Sequence, residues 1–388
     1  MGQSLIMENP AASRLTSLLQ LLAGQVPQRP VWTADLTYWI AGQPPETVAK
    51  NGWDSETGHL LLCRDLGILP YYWYENFWAG SLIFDNVSVQ EETFPGGLHR
   101  KTWQTPLDSL TEESRFQSES FSQAITRYPV QDAGDLRILL DLLEHSQAFP
   151  TNLDSYPGRL KAWEANDGLP SLAMPRSPLP ALLTEWTGVE RGVYLLLDEP
   201  GLTGAILDEM ERLEQPILEG LARLAGQVAP DPLLVHFADN LTSEVYTPFF
   251  ASHMAARYER RLEQLHRAGI RCAVHLDGTL KGLLPKLAAV GIDAIEALTP
   301  QPVSDLSLEE VRRLVEDATP PGSRVILWGG LPGAMFAPPF TWEDMQRQVQ
   351  HVLQAWQGVP FILGTADQLP PDGDIDFVRR ISEMVGSL

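Results

Sequence analysis

The pattern of apolar and polar positions alternates between strand-like and helix-like segments over most of this 388-residue chain. From residue 130 onward, apolar residues spaced three or four apart predict helices, and short apolar runs between them predict strands. The predicted strands are 170–174, 233–237, 271–275, 294–298, 325–328 and 360–363, and the predicted helices are 132–146, 205–227, 249–268, 280–289, 308–317, 342–356 and 376–385. The C-terminal half thus holds five consecutive strand–helix units, which predict parallel strands with crossover helices.

The chain before residue 130 contributes a further strand and a different kind of segment. Residues 29–35 predict a short strand that ends in Asp35. Residues 81–116 alternate in polarity around the turn Pro95–Gly97, which predicts a β-hairpin. An eighth strand is expected at 68–73 or at 193–197, and the second of these ranges is equally compatible with a helix.

The fold class follows from this order of elements. A glycine-rich phosphate-binding fingerprint does not follow the first strand, which disfavours a Rossmann fold. We therefore predict a (β/α)8 TIM barrel, formed as one domain by residues 1–388 and interrupted by an N-terminal β-hairpin insertion at 81–116.

Composition narrows the range of partners. The formal net charge of −22 opposes binding to nucleic acid and to anionic membranes. The two cysteines, Cys63 and Cys272, provide neither a disulfide framework nor a Cys-x-x-Cys metal motif. A long apolar span and a secretory leader are both missing from the pattern, so we expect a cytoplasmic protein acting on a small molecule.

Polar side chains collect where the predicted strands end, which is where TIM barrels place their active sites. They are Asp35, His236, Asp239, His275, Asp277, Glu296, Trp328 and Asp367. His275 and Asp277 are two residues apart and point to the same side of an extended backbone, so they can share a proton, a metal or a substrate group.

Each of these residues also has a structural interpretation. Asp239–Asn240 suits a helix cap or an Asx turn, and Asp277–Gly278 suits a turn. His236 and His275 suit buried core positions, and Trp328 suits packing at the barrel mouth. The aromatic run Tyr71–Tyr74 is compatible with a substrate wall or with the core.

A series of short segments in the expected order resembles the uroporphyrinogen decarboxylase superfamily, which includes corrinoid-dependent methyltransferases. The segments are Arg29–Trp32, Thr105–Leu107, Ala238–Asn240, His275–Gly278, Gly291–Ala294 and Phe361–Asp367. The decarboxylases follow their first strand with arginines that face substrate carboxylates, whereas this chain has Asp35 there. Classical porphyrinogen decarboxylation is therefore disfavoured, because the charge has the wrong sign.

The resemblance implies a metal site for the methyltransferase branch. Those enzymes bind zinc through a His-x-Cys pair and a later Cys, and the matching positions here are His275, Asp277 and Asp367. One nitrogen and two carboxylates are compatible with zinc or with a harder divalent metal.

The function that the resemblance implies is transfer of a methyl group from a corrinoid protein to a small acceptor. We expect Asp239, Glu296 and His236 to act in catalysis. Asp35, Tyr72, Trp328 and Asn240 would contact the substrate. A corrinoid-carrying partner would dock at the barrel mouth, and a homodimer is a further expectation.

Two alternatives stay open. One is a decarboxylase-like lyase with a smaller, less anionic substrate, and the other is a non-catalytic ligand-binding barrel.

Overall fold

The computed structural model describes residues 13–118, 122–229 and 232–387. Its strands are β1 (Val31–Thr33), β2 (Gly80–Phe84), β3 (Ser88–Phe94), β4 (Leu98–Gln104), β5 (Ser109–Gln117), β6 (Ser122–Arg127), β7 (Ser146–Pro150), β8 (Leu172–Met174), β9 (Leu234–Leu241), β10 (Arg271–Leu276), β11 (Ala294–Leu298), β12 (Ile326–Pro332) and β13 (Phe361–Ala366). Its helices are α1 (Arg14–Leu22), α2 (Thr37–Ala41), α3 (Pro45–Asn51), α4 (Glu56–Leu66), α5 (Ala133–Glu144), α6 (Tyr156–Glu164), α7 (Pro178–Ala181), α8 (Val189–Asp198), α9 (Pro200–Val228), α10 (Ser243–Tyr246), α11 (Ala255–Arg267), α12 (Leu284–Ala289), α13 (Leu308–Ala318), α14 (Trp342–Ala355) and α15 (Ile375–Gly386).

A seven-stranded parallel sheet forms the centre of an α/β fold, with strand order β1-β13-β12-β11-β10-β9-β8. Every residue of β11 and β12 is buried, as expected for strands covered on both faces. Each of β9 to β13 is followed by a helix, so the five consecutive strand–helix units predicted from the sequence are confirmed. Within the described ranges, none of the helices is long and apolar enough to cross a membrane.

The two candidate positions for an eighth strand have different outcomes. Residues 193–197 lie inside α8, where Leu195 and Leu196 are buried while Tyr194 and Leu197 are exposed, so a strand there is wrong. Residues 68–73 are extended between β1 and β8 but are not assigned as a strand.

Three backbone hydrogen bonds connect this extended segment to its neighbours on both sides. Leu69 N donates to Trp32 O at 2.9 Å on the β1 side. On the β8 side, Leu169 N donates to Pro70 O at 3.2 Å, and Ser171 N donates to Tyr71 O at 2.7 Å.

The excursion from the parallel sheet is larger than the hairpin expected at 81–116. The Pro95–Gly97 turn joins β3 to β4, and these strands continue into a four-stranded antiparallel sheet that ends with β6. β2 pairs instead with β7, more than 60 residues later. The sequence did not indicate this pairing, because β7 reads Ser-Gln-Ala-Phe-Pro and has little strand-like alternation.

Trp328 is a buried residue of β12 and packs against side chains of neighbouring segments. Its indole Nε1 donates to Thr33 Oγ1 at 2.9 Å, and its ring contacts Tyr71 and His236 at centroid distances of 4.7 and 5.5 Å. Gly364 makes room for this ring, because a Cβ there would lie 3.0 Å from the indole. Trp328, predicted to contact substrate, is thus buried behind Tyr71 and His236 and does not line the cavity described next.

Candidate active site

A cavity of about 230 Å³ opens at the carboxyl ends of the parallel strands. Its lining residues are Asp35, Tyr38, Tyr71, Tyr72, Tyr74, Phe77, Trp78, Arg176, His236, Ala238, Asn240, His275, Asp277, Glu296, Asp367 and Gln368. Eight of the ten residues predicted to form the site are in this set, and the two exceptions are Asp239 and Trp328. The strand-end rule thus gathers side chains from positions 35 to 367 around one volume of small-ligand size.

His275 is the centre of the polar arrangement. Its Nδ1 lies 2.5 Å from Glu296 Oε2, and its Nε2 lies 3.6 Å from Asp367 Oδ1. His275 in β10 and Glu296 in β11 are directly paired in register, which explains their contact. The imidazole is therefore held between a buried carboxylate and one that faces the cavity.

His275, Glu296 and Asp367 form a triad in which the pKa of each residue is shifted by the charge of at least one other member. Burial alone would lower the pKa of His275, but the charge and hydrogen bond of Glu296 outweigh it and raise that pKa to about 9. Burial would likewise raise the pKa of Glu296, and the imidazolium reverses this and lowers it. Burial, together with the carboxylates of Asp35 and Glu296, raises the pKa of Asp367 to about 7 against the opposing charge of His275. Near neutral pH, His275 is thus a cation beside a carboxyl that ionises less readily than an ordinary aspartate.

Asp35 forms a second polar contact in the cavity. The Tyr72 hydroxyl donates a short hydrogen bond to Asp35 Oδ2, and Thr37 N donates to Oδ1 at 2.8 Å. Burial raises the pKa of the Asp35 carboxyl, although these hydrogen bonds act against it. Two residues predicted to contact substrate, Asp35 and Tyr72, are therefore already bonded to each other.

Alternation along β9 decides which of its polar residues reach the cavity. His236, Ala238 and Asn240 line the cavity, whereas Asp239 points to the other face of the strand. The Asp239 carboxylate accepts hydrogen bonds from Ser177 N at 2.7 Å, Ser177 Oγ at 2.5 Å and the Tyr258 hydroxyl. Asp239, predicted to be catalytic, is thus fully buried outside the cavity lining, where it links β9 to α11 and to the turn after β8.

His236 lies deep in the cavity among aromatic rings. Burial lowers its pKa to about 4, so the imidazole is neutral at physiological pH. Its Nε2 atom is buried without a hydrogen-bond partner among the described residues. A neutral ring nitrogen of this kind suits a hydrogen bond to a bound ligand better than it suits proton transfer.

The residues predicted to bind a metal do not form a three-ligand site in this geometry. His275, Asp277 and Asp367 line the same cavity, but their potential ligand atoms do not all lie within 4.8 Å of one another. Among the described residues, the group of three potential ligands whose atoms lie within 4.8 Å of one another is His266, Cys272 and Asp293. We therefore assign no catalytic step to a metal.

The His266–Cys272–Asp293 group lies at the opposite, amino-terminal end of the sheet. Asp293 accepts hydrogen bonds there from Cys272 N at 2.8 Å, from His266 Nε2 at 2.7 Å and from Arg271 at 3.1 Å. Its oxygens are thus already satisfied, and the group acts as a link between β10 and β11.

Several lining residues did not enter the sequence prediction. Tyr38, Phe77, Trp78 and Gln368 carry no recognisable local signal, because they come from helices and loops that fold over the strand ends. Arg176 had a signal that was not used, since it follows β8 by two residues and so satisfies the same strand-end rule. Among the described lining residues, Arg176 is the one arginine or lysine.

Comparison with solved structures identifies a protein with a similar fold and a weaker match. The chain resembles a methyltransferase from Methanosarcina mazei with a TM-score of 0.54 and 11% sequence identity, over 97% of this chain and 98% of that one. It also aligns with a B12-independent methionine synthase from Shewanella sp. W3-18-1, with a TM-score of 0.46 and 12% identity, over 92% and 97% of the two chains. No protein-family model and no curated protein sequence matches this chain. At these identities, the similarity concerns the fold.

Proposed function

We propose that this chain is a methyltransferase-like enzyme that transfers a methyl group to a small acceptor bound in the cavity at the strand ends. The observation that carries the proposal is the triad in which Glu296 holds a protonated His275 beside the cavity-facing carboxyl of Asp367. The fold shared with a methyltransferase from Methanosarcina mazei favours this reaction class over others.

Asp367 is the proposed base for the acceptor. Its pKa of about 7 leaves a useful fraction ionised near neutral pH and matches the proton affinity that general-base catalysis needs. The acceptor's proton passes to Asp367, and the lone pair of the acceptor forms the new bond to the methyl carbon. Glu296 is almost fully buried and bonded to His275, so it acts as a positioning residue rather than as the base.

The methyl donor is proposed to arrive on a partner protein. The cavity of about 230 Å³ suits an acceptor of a few heavy atoms and leaves the donor to approach from the mouth. A corrinoid carried by that partner would supply the methyl group and keep the electron pair of the broken bond.

An assay with methylcobalamin tests this proposal. The purified chain is incubated with methylcobalamin and a panel of thiol, amine and phenol acceptors, and loss of the cobalt–methyl absorbance is followed. We expect Asp367→Asn to lower the rate about 100-fold or more. Glu316→Gln, an exposed carboxylate on α13, is the matched control and should have no effect. Failure of the wild-type chain to demethylate the cofactor with every acceptor would argue against the proposal.

A decarboxylase-like lyase is the second candidate, and the protonated His275 favours it. An imidazolium with a pKa of about 9 can protonate the carbanion that forms when carbon dioxide leaves a substrate. Release of carbon dioxide from a carboxylate substrate, without any need for a methyl donor, would select this candidate.

We propose that the extended segment 68–73 completes a (β/α)8 barrel. Its hydrogen bonds reach Trp32 on the β1 side and the residues before β8 on the other, which are the two edges of the seven-stranded sheet. Hydrogen exchange tests the assignment. The amides of Leu69 and Ser171 should exchange as slowly as those of β12, and fast exchange would indicate an open sheet.

A further inference from the structure

A second cavity, of about 250 Å³, adjoins the one that holds the triad. Its walls are mainly apolar and are formed by Trp78, Gly80, Ser81, Leu82, Leu143, Pro175, Arg176, Ala181, Glu185, Trp186, Met210, Leu213, Glu214 and Ile217. Trp78 and Arg176 belong to the linings of both cavities, so the two volumes share a wall.

The polar groups of the second cavity are largely engaged by protein partners. Glu214 is bonded to the buried Arg261 through both of its carboxylate oxygens. Its charge is therefore matched within the protein. The remaining surface suits an apolar group of a ligand, because removing such a group from water is favourable in proportion to the area buried.

Arg176 has an unused donor at the boundary between the cavities. Its Nη1 donates to Glu185 Oε1 at 2.9 Å, and the Glu185 side chain is 44% exposed. The Nε atom of Arg176 is buried without a hydrogen-bond partner among the described residues. A carboxylate at this point would satisfy Nε and could replace the solvent-exposed Glu185, since arginine binds carboxylates through two parallel N–H groups.

Most of the charged side chains that line the first cavity are acidic, in contrast to Arg176 at the boundary. Asp35, Asp277, Glu296 and Asp367 line it, and His275 matches the charge of Glu296. The other three carboxylates line the cavity together with two cationic side chains, Arg176 and the His275 that Glu296 already engages. This surface favours a bound ammonium group or another donor of several hydrogen bonds.

We propose that the two cavities form one substrate site for a zwitterion with an apolar side chain, such as an apolar amino acid. The ammonium group would lie among the carboxylates of the first cavity, the carboxylate on Arg176 and the apolar side chain in the second cavity. This assignment rests on the proposed function, because it makes the amine nitrogen the methyl acceptor whose proton Asp367 removes.

Calorimetric titration of the full chain with a matched set of probes tests the proposal without requiring turnover. L-Phenylalanine carries all three groups, L-phenylalaninamide and phenethylamine lack the carboxylate, and 3-phenylpropionate lacks the ammonium group. L-Phenylalanine should bind about tenfold more tightly than each of the others, because each loses a hydrogen-bonded charge. Binding of β-homophenylalanine more tightly than L-phenylalanine would also support the assignment and would define a longer spacing.

Two variants assign the binding groups. Arg176→Met should remove the preference for L-phenylalanine over its amide, whereas Arg223→Met, on the exposed face of α9, should leave it unchanged.

Ser81→Trp fills the second cavity from an exposed strand position and should weaken L-phenylalanine binding about tenfold. Ser88→Trp, exposed on β3 and outside both cavities, is its control. Circular dichroism confirms that the variants fold, and Arg176→Lys, which keeps the charge without the fork, should be intermediate.

The outcomes separate this inference from the proposed function. If no zwitterion in a series with leucine, methionine and phenylalanine binds, or if Arg176→Met binds the acid and the amide as wild type does, the inference is overturned. If L-phenylalanine binds as expected but no acceptor demethylates methylcobalamin, the substrate site stands and methyl transfer fails. If methyl transfer occurs to an acceptor that wild type and Arg176→Met bind equally, the proposed function stands and the inference fails.

Discussion

At the scale of single residues, the site depends on which of two opposing effects prevails at a buried charge. Burial disfavours the charged form of both His275 and Glu296, and their mutual attraction favours it. At His275 the attraction prevails, whereas at His236 burial prevails and the ring is neutral. The two imidazoles line one cavity with different charges, because only one of them is hydrogen-bonded to a carboxylate.

The first prediction concerns the titration of His275. Its imidazole should titrate near pH 9 in NMR spectra of the wild-type chain. Glu296→Gln should lower that pKa, because the charge and hydrogen bond of Glu296 are lost and only the weaker attractions of Asp367 and Asp277 still oppose burial. Glu309→Gln, which removes the partner of the exposed His351, is the matched control and should leave His275 unchanged. A His275 pKa near 6.5 in the wild type would contradict the prediction.

The same raised pKa has a consequence for stability. The folded chain binds the His275 proton more tightly than the unfolded chain does, so this contribution is fully present below pH 6.5. It should disappear as the pH rises through about 9. The free energy of unfolding of wild type should therefore fall over that range relative to Glu296→Gln, as urea titrations can measure.

Ala297, directly after Glu296, has a φ of 61° and lies in the left-handed region. An alanine costs roughly 1 kcal/mol there compared with glycine. Ala297→Gly should therefore raise the free energy of unfolding by about 0.5–1 kcal/mol. Ala294→Gly, in the same strand with an ordinary φ, should lower it. Equal losses in both variants would show that Ala297 is not strained.

At the scale of elements, contacts between strand ends and helices fix the site. Asp239 receives hydrogen bonds from the turn after β8 and from Tyr258 on α11, so it joins three elements behind the cavity wall. At Gly329, a Cβ would lie 2.6 Å from Leu298 O, so β11 and β12 approach each other more closely than a side chain allows. The order of elements was predictable from the sequence because apolar periodicity is local.

These contacts also show where sequence reasoning stopped. Asp239 was predicted as catalytic because it follows an apolar run, but β9 continues to Leu241 and alternation turns Asp239 away from the cavity. Strand ends are the least defined feature of a sequence pattern, and one residue of error reverses the face. The eight predicted residues that do line the cavity were found because strand ends meet in space whatever the loops do.

Replacing Asp239 tests its structural role. Asp239→Ala leaves the Ser177 N–H and the Tyr258 hydroxyl buried without an acceptor, and should lower the free energy of unfolding by about 3 kcal/mol. Glu219→Ala, an exposed carboxylate on α9, is the control and should change it by less than about 0.5 kcal/mol. Chemical denaturation of both variants provides the measurement. If Asp239→Ala weakens ligand binding but leaves the free energy of unfolding unchanged, Asp239 belongs to the site instead.

At the scale of the whole molecule, like charges repel one another. The chain has 50 acidic and 28 basic residues, and this excess is greater than its surface ion pairs can neutralise. The repulsion opposes the compact state, whereas added salt screens it. The size and sign of the net charge could be read from the sequence. The clustering of four carboxylates around one cavity could be seen only in the fold.

Added salt should therefore stabilise the chain. Raising sodium chloride from about 0.02 M to about 0.5 M shortens the screening length to roughly 4 Å. The repulsion between separated surface charges then weakens, so the melting temperature should rise. An equal concentration of a neutral osmolyte, compared at the same ionic strength, separates screening from exclusion effects. A melting temperature that falls with salt would show that attractive ion pairs dominate.

The pairing of β1 with β13 has a consequence for the order in which the chain acquires its site during synthesis. Val31 lies opposite Ile362, and Leu369 N donates to Asp35 O at 2.9 Å, so the first and last strands of the parallel sheet are neighbours. At ribosomal speeds of about 5–20 residues per second, β1 waits roughly 20–70 seconds for its partner. The early part of the nascent chain must stay unaggregated over that interval, with Asp35 in place and Asp367 not yet made. A ribosome-bound chain that stops after α14 should bind none of the probes that the released chain binds.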